Sequence, residues 1–242
     1  MNFPTLPEAT RLARLEPPTS KVRMVLDTDT YNEIDDQFAV VYALLSPEHM
    51  ALEALYAAPF HNRRSTGPQH GMEQSYEEIL RLLDKLGVAA DNLVYRGSTG
   101  FLTDYEQPYR SPAALDLVQR AMASEDEPLY VVAIGAITNV ASALLIEPRI
   151  AERIVVLWLG GHALYWPHTR EFNLGQDITS ARLVFDCGVP VVHFPCLGVT
   201  SHLHTTVPEI ERYVAGQGAI GDYLATIFKE HYPDHYAWSK VL

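Results

Sequence analysis

The stretch Val22-Arg23-Met24-Val25-Leu26-Asp27-Thr28-Asp29-Thr30-Tyr31-Asn32-Glu33-Ile34-Asp35-Asp36 runs from an apolar strand into five acidic side chains within ten residues. Like-charged carboxylates raise one another's pKa, so such density at the end of a strand is costly unless a cation neutralises it. Oxygen donors without a neighbouring His or Cys favour a hard ion, Ca²⁺ or Mg²⁺, over Zn²⁺. Capping the helix that follows is the alternative use for these acids, but one or two would suffice for that.

Working outward, short apolar segments alternate with helix-length ones. Strands are expected over 22–27, 52–58, 92–95, 129–134, 153–159 and 189–194, and helices over 35–45, 73–86, 112–123, 138–145, 178–186, 208–215 and 220–231. Val131-Val132-Ala133-Ile134 and Ile154-Val155-Val156-Leu157 are apolar throughout, as in a parallel sheet covered on both faces. The fold class expected is therefore α/β, a single-domain sandwich with a mostly parallel central sheet flanked by helices and a Rossmann-like core. In such sheets ligands gather at the carboxyl ends of the strands. Three polar segments fall there: 27–36, 135–139 and 160–173. A fourth, 59–71, holds His61, Asn62, Arg63, Arg64 and His70 and reads either as a lid or as a plain surface loop.

The chain of 242 residues is 48% hydrophobic and 20% charged, enough for one large core. Residues 1–20 are Pro-rich and are expected to form an arm on the surface or on a partner subunit, with residues 21–242 as the α/β domain. The formal charge of -12 argues against nucleic acid or an anionic membrane as the partner. A small neutral or cation-escorted substrate suits it better. No apolar run reaches the length of about 20 residues that crosses a bilayer, and the start of the sequence lacks the pattern of a secretory signal. Cytoplasmic localisation is expected, with Cys187 and Cys196 as reduced core filler.

Four pieces in order resemble the inosine-uridine-preferring nucleoside hydrolase family. They are Asp27-x-Asp29 followed by Asp35-Asp36; Ala133-Ile134-Gly135-Ala136-Ile137-Thr138-Asn139-Val140-Ala141; Leu159-Gly160-Gly161; and Glu171-Phe172-Asn173 with Asp177 behind it. The resemblance implies a metal-dependent glycosidase that cleaves the N-glycosidic bond of ribonucleosides to ribose and free base, with Ca²⁺ at the bottom of the pocket. It implies Asp29 and Asp36 as metal ligands, joined by the carbonyl of Thr138 and by a late Asp. Asp29 would also be the general base, while Asp35, Glu171 and Asn173 would bind the sugar. It further implies a homo-oligomer, dimer or tetramer. Physical chemistry is compatible with the split of roles: adjacent residues at a helix start point about 100° apart, so Asp35 and Asp36 can face two different partners.

The sequence departs from the family in three places. Five residues separate Asp29 from Asp35, two more than the usual opening, which brings Tyr31, Asn32 or Glu33 to the site. The Gly-Asn that commonly follows the second strand is replaced by Ala57-Ala58-Pro59-Phe60, and an Asn expected before Glu171 is missing. Tyr165 and Trp166 are candidates for stacking a leaving base or for packing. The late Asp, with a neighbouring His, is expected in an extension beyond the run Trp238-Ser239-Lys240-Val241-Leu242, so the domain is expected to be incomplete at that end. No leaving-group acid stands out among His162, His168, His202 and His204. Two rivals remain: a catalytically idle Ca²⁺-dependent nucleoside or sugar binder, and a haloacid-dehalogenase-like phosphatase using Asp27 as nucleophile and Asp29 as acid.

Overall fold

The computed structural model describes residues 3–124, 127–231 and 240–241. Six strands, β1 (Val22–Thr28), β2 (Met50–Ala57), β3 (Val94–Arg96), β4 (Leu129–Ala133), β5 (Ile154–Leu159) and β6 (Val191–Phe194), form one sheet in the order β3-β2-β1-β4-β5-β6. Every neighbouring pair in it is parallel. This is the single α/β domain expected. The order runs outward in both directions from β1 and β4, so a crevice opens between the carboxyl ends of those two strands.

Side-chain alternation explains why the sheet needs helices on both faces. Val25 points with Tyr56, Leu129, Val131 and Trp158 into a core covered by α4 (Pro112–Met122), α5 (Thr138–Ile146) and α7 (Ile178–Asp186). Met24 and Leu26 point the other way, with Leu55 and Ala57, against α2 (Asp35–Leu44), α3 (Pro68–Leu86) and α9 (Gly218–His231). Each fully buried Val or Leu contributes roughly 1.5–3 kcal/mol.

Several boundaries differ from expectation for local reasons. The Pro-rich start contains a helix, α1 (Glu8–Leu15), bracketed by Pro7 and Pro17, neither of which has to continue it. Arg14 donates to the carbonyl of Glu152, and Phe3 packs against the core. Helix α3 starts at Pro68 rather than at 73, because proline suits the first helical position. The polar loop expected over 59–71 shrinks accordingly, and it is anchored: Phe60 is fully buried and the Ser65 hydroxyl donates to its carbonyl at 3.2 Å. A short helix, α6 (Phe172–Gln176), closes the polar segment expected over 160–173, and α8 (Val207–Tyr213) precedes α9. A two-stranded ladder of β7 (His204–Thr205) and β8 (Lys240–Val241) was not foreseen. Trp238, Ser239 and Leu242, which belong to the run compared with the family's late Asp, lie outside the described residues. Among the described residues no helix is long and apolar enough to cross a membrane.

Candidate active site

Strand β1 ends at the crevice, and its alternation sends the opening acids in two directions. Asp27 and Thr28 are both fully buried and Asp29 is 1% exposed. Asp27, on the α4/α5 face, accepts a hydrogen bond from Asn139 Nδ2 at 2.7 Å. Thr28, on the α2 face, donates its hydroxyl to Asp36 Oδ1. Beyond the strand the chain turns sharply, with Asn32 N–H donating to the Asp29 carbonyl at 2.7 Å. The start of α2 then brings Asp35 and Asp36 back beside Asp29.

These carboxylates are electrostatically expensive. Burial, followed by the charges of Asp36, Asp35 and Glu33, pushes Asp29 well above the carboxylate range. Burial and then Asp35 do the same to Asp36, against the opposing hydrogen bond from Thr28. Asp35 is pushed up to about 6 by burial and by Glu33. Asp27 is pushed up to about 7 by burial, opposed by Asn139. The Oδ2 atoms of Asp27 and Asp29 are buried without a hydrogen-bond partner. Leaving such atoms unmet costs about 1–3 kcal/mol each, more when charged.

The turn after β4 supplies the second wall. Gly135 lies so close to Asp29 that a Cβ there would sit 3.0 Å from the carboxyl carbon, and Trp158 Nε1 donates to the Gly135 carbonyl at 3.1 Å to hold the turn. Asn139 is a buried wedge: besides meeting Asp27, its Oδ1 accepts from the Ser98 N–H at 2.7 Å and the Ser98 hydroxyl at 2.8 Å. Thr138 opens α5 fully buried, and its hydroxyl donates to Asp177 Oδ2 at 2.7 Å. Asp177 also accepts from Leu102 N–H at 2.9 Å, from Ser180 N–H at 2.8 Å and from the Ser180 hydroxyl at 2.6 Å. The backbone turn that carries Thr138 is therefore locked from behind.

Glu171 and Asn173 are occupied structurally. Glu171 caps α6, accepting from Asn173 N–H at 3.0 Å, Leu174 N–H at 2.8 Å and Gly161 N–H at 2.6 Å. Both amide hydrogens of Asn173 go to carbonyls, of Ile134 at 2.8 Å and Leu159 at 3.0 Å. Any further bond must use the remaining acceptor capacity of these side chains. His162 is likewise committed: Leu197 N–H donates to its Nδ1 at 3.3 Å, which leaves Nε2–H to donate to the Arg170 carbonyl at 2.9 Å. Neither ring nitrogen is left to hand a proton to a substrate. His168, His202 and His204 are exposed, as are Tyr165 and Trp166 on the loop between β5 and α6.

The lengthened acidic loop is clasped from the side of β2. Asn62 Nδ2 donates to Asn32 Oδ1 at 2.6 Å, Arg64 donates to the Asn32 carbonyl at 3.3 Å, and the Arg64 guanidinium lies 4.2 Å from the centre of the Tyr31 ring. On the other flank Ile34 is buried among Ile210, Ala225 and Phe228 of α8 and α9. The sequence flagged Tyr31, Asn32 and Glu33 as candidates for the site but not their holders. Asn62 and Arg64 sit some 30 residues along the chain, and only the parallel pairing of β1 with β2 brings the two loops together.

A cation suits this donor set. Two buried carboxylate oxygens lack partners, and three carboxyl groups are raised by burial and mutual repulsion, both of which a positive charge would relieve. The donors are oxygen only, which matches a hard ion. Among the described residues no three His, Cys, Asp or Glu side chains form a finished metal cluster, so carbonyls such as that of Thr138 or water would have to complete a shell. The phosphatase reading loses its footing, because Asp27 is fully buried inside β1 and bonded to Asn139, where no phosphate can be attacked.

Fold and site together define a doubly wound α/β protein with an acid-lined crevice at its switch point. Residues 24–241 match the model of the inosine-uridine preferring nucleoside hydrolases, and the chain belongs to that family. It is 30% identical over 232 residues to the pyrimidine-specific ribonucleoside hydrolase RihA of Klebsiella pneumoniae, covering 86% of this chain and 69% of that one. RihA of an Enterobacter species is 28% identical over the same length, with 86% and 68% covered. Among solved structures the fold is shared with the plant nucleoside hydrolase PpNRh1, at a TM-score of 0.70 and 21% identity over 93% of this chain and 76% of that one. It is shared too with the type III effector XopQ complexed with adenosine diphosphate ribose, at 0.64 and 18% over 95% and 73%.

Proposed function

We propose that this chain is a metal-dependent N-ribosyl hydrolase whose site is built from Asp29, Asp35, Asp36 and Thr138. Family membership makes it a glycosidase acting on N-glycosyl compounds. The observation that carries the site assignment is Asp29: buried, unpartnered at Oδ2, and standing where β1 meets the turn after β4.

Asp29 and Asp36, with the Thr138 carbonyl, would hold the ion, for which Ca²⁺ is the reading. When bound, such an ion lowers the pKa of water and fixes sugar hydroxyls. Asp29 takes the proton from water as it attacks the anomeric carbon, a general-base contribution on the order of 10²–10⁴ in rate. Asp35, at a different angle on the same helix start, accepts a bond from a ribose hydroxyl and so fixes the ring. Negative carboxylates around the sugar stabilise the positive charge that develops as the base leaves. Glu171 shapes the wall through its cap of α6 and offers its remaining acceptor capacity to the sugar, and Asn173 offers its free oxygen.

The test is ribose release from a panel of purine and pyrimidine ribonucleosides and from p-nitrophenyl riboside, with Ca²⁺ present and after chelation. Release that needs the metal and vanishes in Asp29→Asn supports the proposal; a metal-loaded protein inert toward the whole panel sinks it. The structural commitments of Glu171 and Asn173 favour a second reading, a nucleoside binder without turnover, which the same panel would reveal as binding without ribose. Homo-oligomeric assembly belongs to the proposal on the strength of the family resemblance.

A further inference from the structure

Gly160 and Gly161 carry the chain from β5 into the loop that leads to Glu171, and the outer ends of this pair are tied to backbone. Gly160 N–H donates to the Phe194 carbonyl at 3.3 Å, and the Gly161 carbonyl accepts from Cys196 N–H at 2.9 Å. Among the described residues the peptide between them meets no backbone group; two side chains grip it instead. Its N–H donates to Glu171 Oε2 at 2.6 Å, and its carbonyl accepts from His193 Nε2. A carbonyl only accepts, so Nε2 carries the hydrogen.

Glycine on both sides makes that grip necessary. Turning the peptide over changes ψ of Gly160 and φ of Gly161, which stands at +69°, and glycine accepts either sign of φ. The flipped peptide would set its carbonyl against Glu171, acceptor facing acceptor, and take its N–H away from the carboxylate. Glu171 would keep only the N–H groups of Asn173 and Leu174. His193 opposes the flip from a fixed position. It is the register partner of Trp158 on β5, and its ring stands edge-on to Phe185 of α7, with centroids 5.6 Å apart and planes at 85°. Phe185 also meets Trp158 at 5.6 Å, and the Trp158 ring backs Gly160 so closely that a Cβ there would lie 2.5 Å from it. A ring held by packing donates at little further entropic cost. The bonds from His193 and to Glu171 lie at opposite ends of one peptide dipole, so each polarises the peptide in favour of the other.

We propose, resting on the N-ribosyl hydrolase reading, that His193 is a positioning residue for the wall that faces the sugar. It locks the Gly160–Gly161 peptide in the orientation that aims the Glu171 carboxylate, and it acts on substrate only through that peptide.

The experiment compares the metal-loaded parent with His193→Phe, which keeps a ring against Phe185 and removes the donor, and with His193→Gln, which returns an N–H near the same place. It measures kcat and KM for a ribonucleoside, the calorimetric Kd of that ribonucleoside, and hydrogen exchange at the Gly161 amide. In His193→Phe, KM and Kd rise about fivefold, the scale of one neutral hydrogen bond, while kcat holds and the Gly161 amide exchanges about tenfold faster. His193→Gln recovers most of both changes. In a Glu171→Ala background His193→Phe alters Kd by less than about twofold, because its effect runs through that carboxylate. A Gly161 amide and a Kd that stay at parent values in His193→Phe overturn the assignment, as does a full-sized loss that persists without Glu171. A lowered thermal midpoint with unaltered Kd also overturns it and makes His193 a packing residue. Raised Kd and faster exchange beside a parent that releases no ribose keep the assignment and remove the hydrolysis reading. A parent that binds no ribonucleoside removes both.

Discussion

The loop from β1 to α2 and the segment from Glu171 to Asp177 carry the same chemistry, carboxylates at a helix start, and treat it in opposite ways. Glu171 and Asp177 engage both of their oxygens with backbone N–H groups and hydroxyls from across the fold. Asp29 retains a buried oxygen with no partner, and Glu33 has no partner at all among the described residues. A carboxylate met by several donors is a fastening; one left unmet inside a protein is held in readiness for something the chain does not supply. On the proposed function, the first segment carries the chemistry and the second chiefly supports the wall that faces it.

The largest effect expected from that division is on activity. Asp29→Asn should lower kcat by about 10²–10⁴ while leaving the thermal midpoint unchanged or raised, because the substitution removes charge repulsion. A midpoint that collapses would move Asp29 to the supporting side. Asp177→Ala should act in the reverse sense. It strands the donors of Leu102, Thr138 and Ser180 and uncaps α7, a loss of about 3 kcal/mol or more, which corresponds to roughly 6–12 °C in the thermal midpoint of a chain of this size. Differential scanning calorimetry measures it, and an unshifted midpoint would break the comparison.

Metal should affect only the first segment. Ca²⁺ at 100 times its Kd should raise stability by about 2.7 kcal/mol, and chelation should return it. In Asp29→Asn the increment should shrink, whereas in a Glu171 variant it should persist. Titrating the midpoint against Ca²⁺ separates the cases.

The metal-free protein should also lose stability as pH rises. Burial pushes Asp27 up to about 7 and Asp35 up to about 6, against about 3.9 for an exposed aspartate, so between roughly pH 4 and 7 the folded state binds more protons than the unfolded one. Stability then falls with rising pH across that window, by up to about 1.4 kcal/mol per unit per group. Saturating Ca²⁺ should flatten the slope, since it favours the ionised carboxylates. A metal-free midpoint that climbs from pH 4 to 7 would contradict the electrostatic account. The smallest expected effect is Arg64→Ala, which loosens the clasp on Asn32 and Tyr31 and should cost about 1 kcal/mol. Its sharper readout is faster amide hydrogen exchange at 30–34 than at 171–177.

Much of this was legible in the sequence, and the parts that were not share a cause. Five of the six sheet strands overlap their expected ranges closely, because uninterrupted runs such as Ile154-Val155-Val156-Leu157 announce a doubly covered strand by themselves. The third, expected at 92–95 and found at Val94–Arg96, is the shift that a short edge strand with weak patterning allows. Helix α1 was hidden by the prolines around it. The cap at Glu171 was hidden because three N–H groups converging on one carboxylate is a property of a backbone trajectory, not of a motif.

Within the crevice the sequence alone determined the inventory: five acids after an apolar strand, and a Thr-Asn turn after another. Local order suffices for that, since burial of the strand and the start of the helix are written in hydrophobic period and spacing. Tertiary structure alone decided which acids are satisfied. Asn139 reaches Asp27 across 112 positions of chain, and Thr138 reaches Asp177 across 39. Partners so far apart meet only when the parallel sheet brings its strand ends to one edge, and it is the geometry of that edge that leaves Asp29 and Glu33 without them.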